Sequence, residues 1–205
     1  FPTRRSSDLH RKRMLQLAAV WLVTFTCNQS ALIFWKEFAQ AERSMSNEAI
    51  GSAIAIASVL TIPLVVWFGR FTDRIGRRKS AATVYAITAI GVLGSYSSMP
   101  KQVLVVPLLF LIFGSSAAVA VLSTWTAECF PTELRGDSFA WANSLLGRIG
   151  FVLSPLLVSE LVSSLGWSRA LSLTAILPLL AIAMTNRWLP ETAGKDLEEL
   201  EQPTR

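Results

Sequence analysis

The sequence predicts an all-α membrane protein, a six-transmembrane-helix bundle, on three observations. Six predominantly apolar stretches, each of about 20 residues and so long enough to cross roughly 30 Å of hydrocarbon, follow one another along the 205 residues. Hydrophobic residues make up 52% of the chain and charged residues only 16%, where soluble domains carry about 25% charged. Basic residues gather in short segments between the apolar stretches, as the positive-inside rule requires of cytoplasmic loops. The net charge of +5 therefore reports topology. No nucleic-acid partner is expected, because that would need one continuous basic patch.

The elements follow in order. Phe1 to Leu9, read back through the genetic code, spell a widely used DNA sequencing adapter. An assembly origin is expected for residues 1–9, with the natural chain extending further on its N-terminal side; the alternative is a natural basic tail ahead of the first helix. The six spans are approximately Met14 to Trp35, Glu48 to Phe68, Ser80 to Ser98, Val103 to Trp125, Phe139 to Leu165 and Ala170 to Leu189. They predict a bundle over residues 10–190 and a cytoplasmic tail over 191–205. Trp35, Trp67, Trp167 and Trp188 stand near span ends, where an aromatic belt belongs. Pro63, Pro107, Pro155 and Pro178 fall inside spans, and each is expected to free a carbonyl and kink its helix. Gly51 with Ala55, and Gly147 with Gly150, read as tight helix contacts.

Charge sets the orientation. With the chain starting inside, the cytoplasmic segments hold Arg11, Lys12, Arg13, Arg70, Arg74, Arg77, Arg78, Lys79, Arg135, Arg187, Lys195 and Arg205, against Lys36, Arg43, Lys101 and Arg169 outside. Twelve against four places both ends of the bundle in the cytoplasm, in a plasma membrane or bacterial inner membrane. Cys27 lies within a span and Cys129 at the cytoplasmic end of another, so no disulfide is expected.

Three signatures occupy successive cytoplasmic turns. Gly69-Arg70-Phe71-Thr72-Asp73-Arg74-Ile75-Gly76-Arg77-Arg78-Lys79 joins the second and third spans and reads as a tight loop that Gly69 and Gly76 permit. Glu128-Cys129-Phe130-Pro131-Thr132-Glu133-Leu134-Arg135-Gly136 follows the fourth span, and Pro190-Glu191-Thr192-Ala193-Gly194-Lys195, with Leu197-Glu198-Glu199 behind it, follows the sixth. Together they resemble the major facilitator superfamily, in its sugar, organic-ion and metabolite-proton transporter branches. The first is similar to the loop between helices 8 and 9 of that family, the second to the stretch after helix 10, the third to the segment that ends helix 12. The resemblance runs from His10 to about Leu200 and implies the C-terminal half, helices 7 to 12, of a twelve-helix fold.

The family binds substrate near the midplane between two six-helix bundles and exposes it alternately to each side. The resemblance thus implies a partner in a missing N-terminal half, which would include any acidic residue that couples protons from there. It also implies a cytoplasmic gate in which Asp73, Arg74, Arg77, Arg78, Glu128, Pro131, Arg135 and Glu191, framed by Gly69 and Gly76, hold the inner ends together while the outer side is open. Arginine suits this role because its planar fork pairs bidentately with carboxylates. The alternative is that the same arginines only set topology.

Arg148 lies about ten residues into its span, roughly 15 Å deep at 1.5 Å per residue. A charge there costs about 2.5–3.5 kcal/mol on insertion scales and usually faces a cavity or a partner. At 100° per residue Asp137, Trp141, Ser144, Pro155 and Ser159 fall within about 40° of it, one wet stripe. In the first span Trp21, Thr24, Asn28 and Trp35 share a stripe that reads as aromatic walls with a polar handle, with Gln29 about 100° away. Arg148 would hold the carboxylate of a small organic acid, or else pair with an acid from the missing half. Glu160, about 120° off the stripe near the outer end, is a weaker candidate for proton coupling, and His10, the only histidine, lies outside the membrane, so no histidine relay is expected.

The expectation is a secondary transporter in a lipid bilayer that moves a small-molecule substrate, a small organic acid or related metabolite, together with a proton. The alternatives are a sugar or polyol porter, and a non-transporting sensor or six-helix homodimer. Nothing resembles a nucleotide-binding loop, a metal cluster or a hydrolytic triad, so no enzyme, cofactor or metal is expected.

Overall fold

The computed structural model of the chain describes residues 4–101 and 103–194, with side chains from His10 onward. Phe1 to Thr3, the side chains up to Leu9, and Lys195, Leu197, Glu198, Glu199 and Arg205 of the expected tail lie outside the described residues. Among the described residues the chain forms six helical rods. The first, α1, is Arg4–Asn28, a wide turn at Gln29–Ile33 with hydrogen bonds one residue longer than in an α-helix, and then Trp35–Ala41. Next come α2 (Asn47–Ile75), α3 (Arg77–Ser95) and α4 (Val105–Glu128). The fifth, α5, is Thr132–Phe139, a second wide turn at Ala140–Gly147, and Ile149–Leu165. The last, α6, is Trp167–Leu173 and Ile176–Trp188.

Five rods are long and apolar enough to cross a membrane; α3 falls short because Arg77, Arg78 and Lys79 occupy its first turn. Local chemistry sets several ends. Ser46 starts α2 by accepting a hydrogen bond from the Ala49 amide at 3.2 Å, the usual serine N-cap. Pro107 and Pro178 differ from expectation: each is the third residue of its helical segment, where the missing N–H has no intrahelical partner to lose. Pro178 still leaves a mark. It cannot donate to Thr174, and α6 passes from one segment to the next through tighter turns, including Leu177 N to Thr174 O at 3.0 Å and Ala175 N to Ser172 O at 3.1 Å.

The core is layered along the membrane normal. At the end of the bundle that holds Gly76 the residues Leu17, Trp21, Tyr85, Phe113, Trp125 and Phe130 pack together, and toward the opposite end Trp35, Phe38, Tyr96, Leu108, Leu111 and Leu171 do. Trp35 is therefore a core residue, whereas Trp67 and Trp188 are exposed as belt residues are. Buried threonines on several rods, among them Thr61, Thr72, Thr88, Thr126 and Thr185, donate to the carbonyl four residues back. Such a bond satisfies the hydroxyl within its own helix, which a dry interior requires.

Small residues set the closest approaches. A methyl group at Gly150 would stand 2.6 Å from the Leu22 carbonyl oxygen and 2.8 Å from the Thr26 hydroxyl, and one at Gly147 would be 2.7 Å from the Trp21 Cβ. These two glycines let α5 lie against α1, and Ser30 and Ser154 then bridge the pair at 2.8 Å. In the seam between α3 and α4 a methyl at Gly94 would be 2.6 Å from Pro107 Cβ, and one at Gly91 would strike the Leu111 backbone. Gly51 and Ala55 do not behave as expected. Both are exposed on α2, and nothing lies within 4 Å of a methyl placed on Gly51, because α2 turns its other face to the bundle.

Gly150→Val should separate α1 from α5 and cost about 1–3 kcal/mol as overpacking does, whereas Gly51→Ala should stay within about 0.5 kcal/mol of the parent or stabilise it. Thermal unfolding of the two variants in detergent would check the contrast.

Candidate functional site

The stretch from Gly69 to Lys79 is two helix ends and one hinge residue. α2 runs unbroken through Gly69 to Ile75, and α3 begins at Arg77. Gly76 alone makes the turn, at φ +90°, a region that residues with a Cβ avoid. The expected role of Gly69 in a loop is corrected accordingly: it is helical, with nothing within 4 Å of its Cβ position.

Arg77 is the hub of this end of the bundle. Its side chain is 9% exposed and forks onto Glu128, Nε to Oε2 at 3.0 Å and Nη2 to Oε1 at 2.6 Å, while Nη1 donates to Asp73 Oδ1 at 2.8 Å. Two parallel bonds to one carboxylate are the strong form of this pairing. Glu128 also accepts from the Thr192 hydroxyl at 2.5 Å. Glu191 caps α3: its Oε1 accepts from the Arg77 amide at 2.7 Å and its Oε2 from the Arg78 amide at 3.0 Å. A methyl at Gly76 would sit 2.9 Å from Glu191 Oε2. The Arg78 guanidinium donates to the Leu189 carbonyl, Nε at 2.8 Å and Nη2 at 2.6 Å, and Trp125 Nε1 donates to Pro190 O at 2.9 Å. The ends of α2, α4 and α6 and the start of α3 are thereby tied into one cluster.

Electrostatics follow the geometry. Hydrogen bonding to Glu128, against the opposing effect of burial, raises the Arg77 pKa above its ordinary value. Burial pushes the Glu191 carboxyl up, but amide donors from Arg77, Arg78, Ala193 and Thr192 outweigh it and hold the pKa below 4.5. The helix α3 dipole acts in the same sense.

Two of the expected gate residues stand apart from this cluster. Arg74 is exposed on the last turn of α2 and forms no ion pair among the described residues, and Arg135 has a buried Nε with no acceptor. The adjacent Asp73 reaches Arg77 because it lies one turn back, across the Gly76 hinge, while Arg74 is rotated about 100° further round α2. Pro131 directly precedes α5 as its N-cap residue. Thr192, part of the third signature, and Trp125, at the end of the fourth span, belong to the cluster although the expected gate did not include them. Trp125 lies three residues before Glu128, one turn back on the same helical face, and that spacing was the available signal.

The residues expected to line a cavity divide. Arg148, Trp141 and Ser144 are exposed on α5, as are Asp137, Pro155 and Ser159, and Arg148 has no hydrogen bond or ion pair among the described residues. Asn28 and Gln29 are half-buried where α1 widens. Trp21 and Thr24 are corrected: both are buried, Trp21 Nε1 donating to Thr126 Oγ1 at 3.1 Å and Thr24 sharing a 2.7 Å bond with the Tyr85 hydroxyl. That stripe of α1 is a packing face, because α3 and α4 present hydroxyls to its polar groups. Glu160 is exposed on α5, and His10 lies near Phe130 with the rings tilted by 41° and their centroids 6.3 Å apart.

Residues 17–204 match the model of the Major Facilitator Superfamily. The chain is 28% identical over 162 residues to the major myo-inositol transporter IolT of Bacillus subtilis, covering 75% of this chain and 33% of that protein. It is also 28% identical over 158 residues to organic cation/carnitine transporter 7 of Arabidopsis thaliana, covering 75% and 31%. The chain thus spans about a third of the length of these curated relatives. In three dimensions 91% of it overlays 46% of the proton:xylose symporter XylE bound to 6-bromo-6-deoxy-D-glucose, with a TM-score of 0.74 and 19% identity.

Glu191→Ala should cost about 1 kcal/mol, as loss of an N-cap does. The capping stabilisation is fully present above pH 4.5 and is lost as pH falls through the lowered folded-state value. Thermal unfolding between pH 6 and 3 should therefore fall more steeply for the parent than for Glu191→Gln. Arg77→Lys, which keeps charge but loses the fork, should cost about 1.5–3 kcal/mol in the same assay.

Proposed function

The chain belongs to the Major Facilitator Superfamily, and from that premise we propose that it is the C-terminal six-helix half of a secondary transporter that works by alternating access. The carrying observation is the Arg77 cluster, which joins all three family signatures at one membrane surface. In such a transporter the cluster would keep the inner ends of this half fixed to one another, so that it rocks as a body against the other half. Asp73, whose side chain is 71% exposed, would be the member that contacts the opposing half. No covalent step is involved.

The substrate reading is a small organic anion, carried with a proton. Arg148 supports it: an exposed guanidinium with no ion pair among the described residues, about ten residues into its expected span, is a ready carboxylate clamp. Trp141 and Ser144 on α5, with Asn28 and Gln29 on α1, would line the same cavity. A second reading, a polyol or sugar porter, is favoured by the relatedness to a myo-inositol transporter.

Two measurements test this. Genomic sequence read upstream of His10 should contain six further apolar spans in frame, with a second Gly-x-x-x-Asp-Arg-x-Gly segment; a start codon just ahead of His10 would overturn the half-transporter reading. For the protein expressed from its complete gene, carboxylate uptake should be abolished by a protonophore, and Arg148→Ala should weaken it by about ten- to a hundredfold, the worth of a charged hydrogen-bonded pair. Uptake that a neutral polyol competes away, and that Arg148→Ala leaves intact, would favour the polyol reading.

A further inference from the structure

Away from the Arg77 cluster and the α5 stripe, one concavity has chemistry of its own. It is a groove of about 540 Å³ between the start of α1 and the end of α6, lined by Arg11, Lys12, Leu15, Gln16, Ala19 and Trp188. Its composition changes with depth. Arg11 and Lys12 are exposed at its mouth and have no ion pair among the described residues. Leu15 and Ala19 lie one and two turns deeper, with Ala19 about 12 Å along the α1 axis from Arg11. Trp188, 39% exposed, forms the opposite wall at the level where α6 leaves the bilayer.

We infer that this groove binds one anionic phospholipid of the cytoplasmic leaflet, its phosphate held by Arg11 and Lys12 and the upper part of an acyl chain laid along Leu15, Ala19 and Trp188. Charge complementarity commits the occupant. A cationic mouth over an apolar trough matches a molecule with an anionic head and an apolar tail, and the twelve-to-four distribution of basic residues puts the mouth on the side where anionic lipids are concentrated. A free phosphate would engage the mouth and leave the trough empty. A neutral lipid would fill the trough and leave two cations unused. The indole of Trp188 is suited to the boundary between these two regions, being apolar in its body and polar at its N–H.

The experiment uses the protein expressed from its complete gene, in nanodiscs of phosphatidylcholine to which lipid brominated on its acyl chains is added. Bromine quenches tryptophan fluorescence at short range, and the difference between parent and Trp188→Phe isolates the Trp188 signal. Brominated phosphatidylglycerol should quench that signal at a mole fraction roughly tenfold lower than brominated phosphatidylcholine, a selectivity within the reach of two basic residues at the surface. Arg11→Gln with Lys12→Gln should abolish the preference without altering the unquenched spectrum. Equal quenching by the two lipids, or a preference that survives the double variant, would overturn the inference. So would full competition by soluble glycerol phosphate, which would make the mouth a phosphate site without a lipid.

Discussion

Arg77 meets Glu128 at one end of the bundle, and the arrangement of the helix ends around them depends on that pairing. A guanidinium whose side chain is 9% exposed is costly to hold away from water unless its donors are met. Here Glu128 takes two of them and Asp73 a third, so the charge is compensated at the point where four helix ends meet. Glu191 completes the arrangement without touching the guanidinium: it binds the backbone of the residue that carries it. The side chain of Arg77 therefore fixes α4 and α2, and its amide fixes the end of α6.

A second end of the bundle uses the same kind of device. Gly166 takes φ +77° between α5 and α6, and Glu42, at the end of α1, accepts from the Ser168 amide at 3.0 Å. Gly76 and Gly166 thus each release the chain from one helix and start the next, and in each case a carboxylate distant in sequence receives an amide of the new first turn. The physical reason is shared. The first amides of a helix lack internal partners, and at a membrane surface a carboxylate serves them better than a neutral group because the helix dipole favours it. Two sharp reversals, one at each face, are held by bonds between elements that are far apart along the chain.

Much of this was legible in the chain alone. Hydropathy located six rods, and the three motifs identified the family. Local detail was less accessible. Asp73-Arg74 reads as a pair because the residues are adjacent, yet adjacent residues on a helix diverge by about 100° and only Asp73 faces the hinge. The stripe of Trp21, Thr24 and Asn28 is real as a periodicity, but periodicity does not say whether a polar face meets water or the hydroxyls of Tyr85 and Thr126. The wide turns in α1 and α5 also escape a wheel drawn at a constant angle, since each inserts extra chain into the register. Gly147 and Gly150 were readable because close packing needs small residues, while Gly51 with Ala55, four residues apart, is a small-residue pair with no neighbour among the described residues to pack on.

The seam between α3 and α4 has a mechanical meaning. Gly91 lies against the Leu111 backbone and Gly94 against the rigid Pro107 ring, so no flexible side chain lies between the two helices to absorb a displacement. A joint of that kind transmits force without lost motion. The two helices behave as one strut, and a rearrangement elsewhere in the bundle has to pass around this strut or carry it along whole.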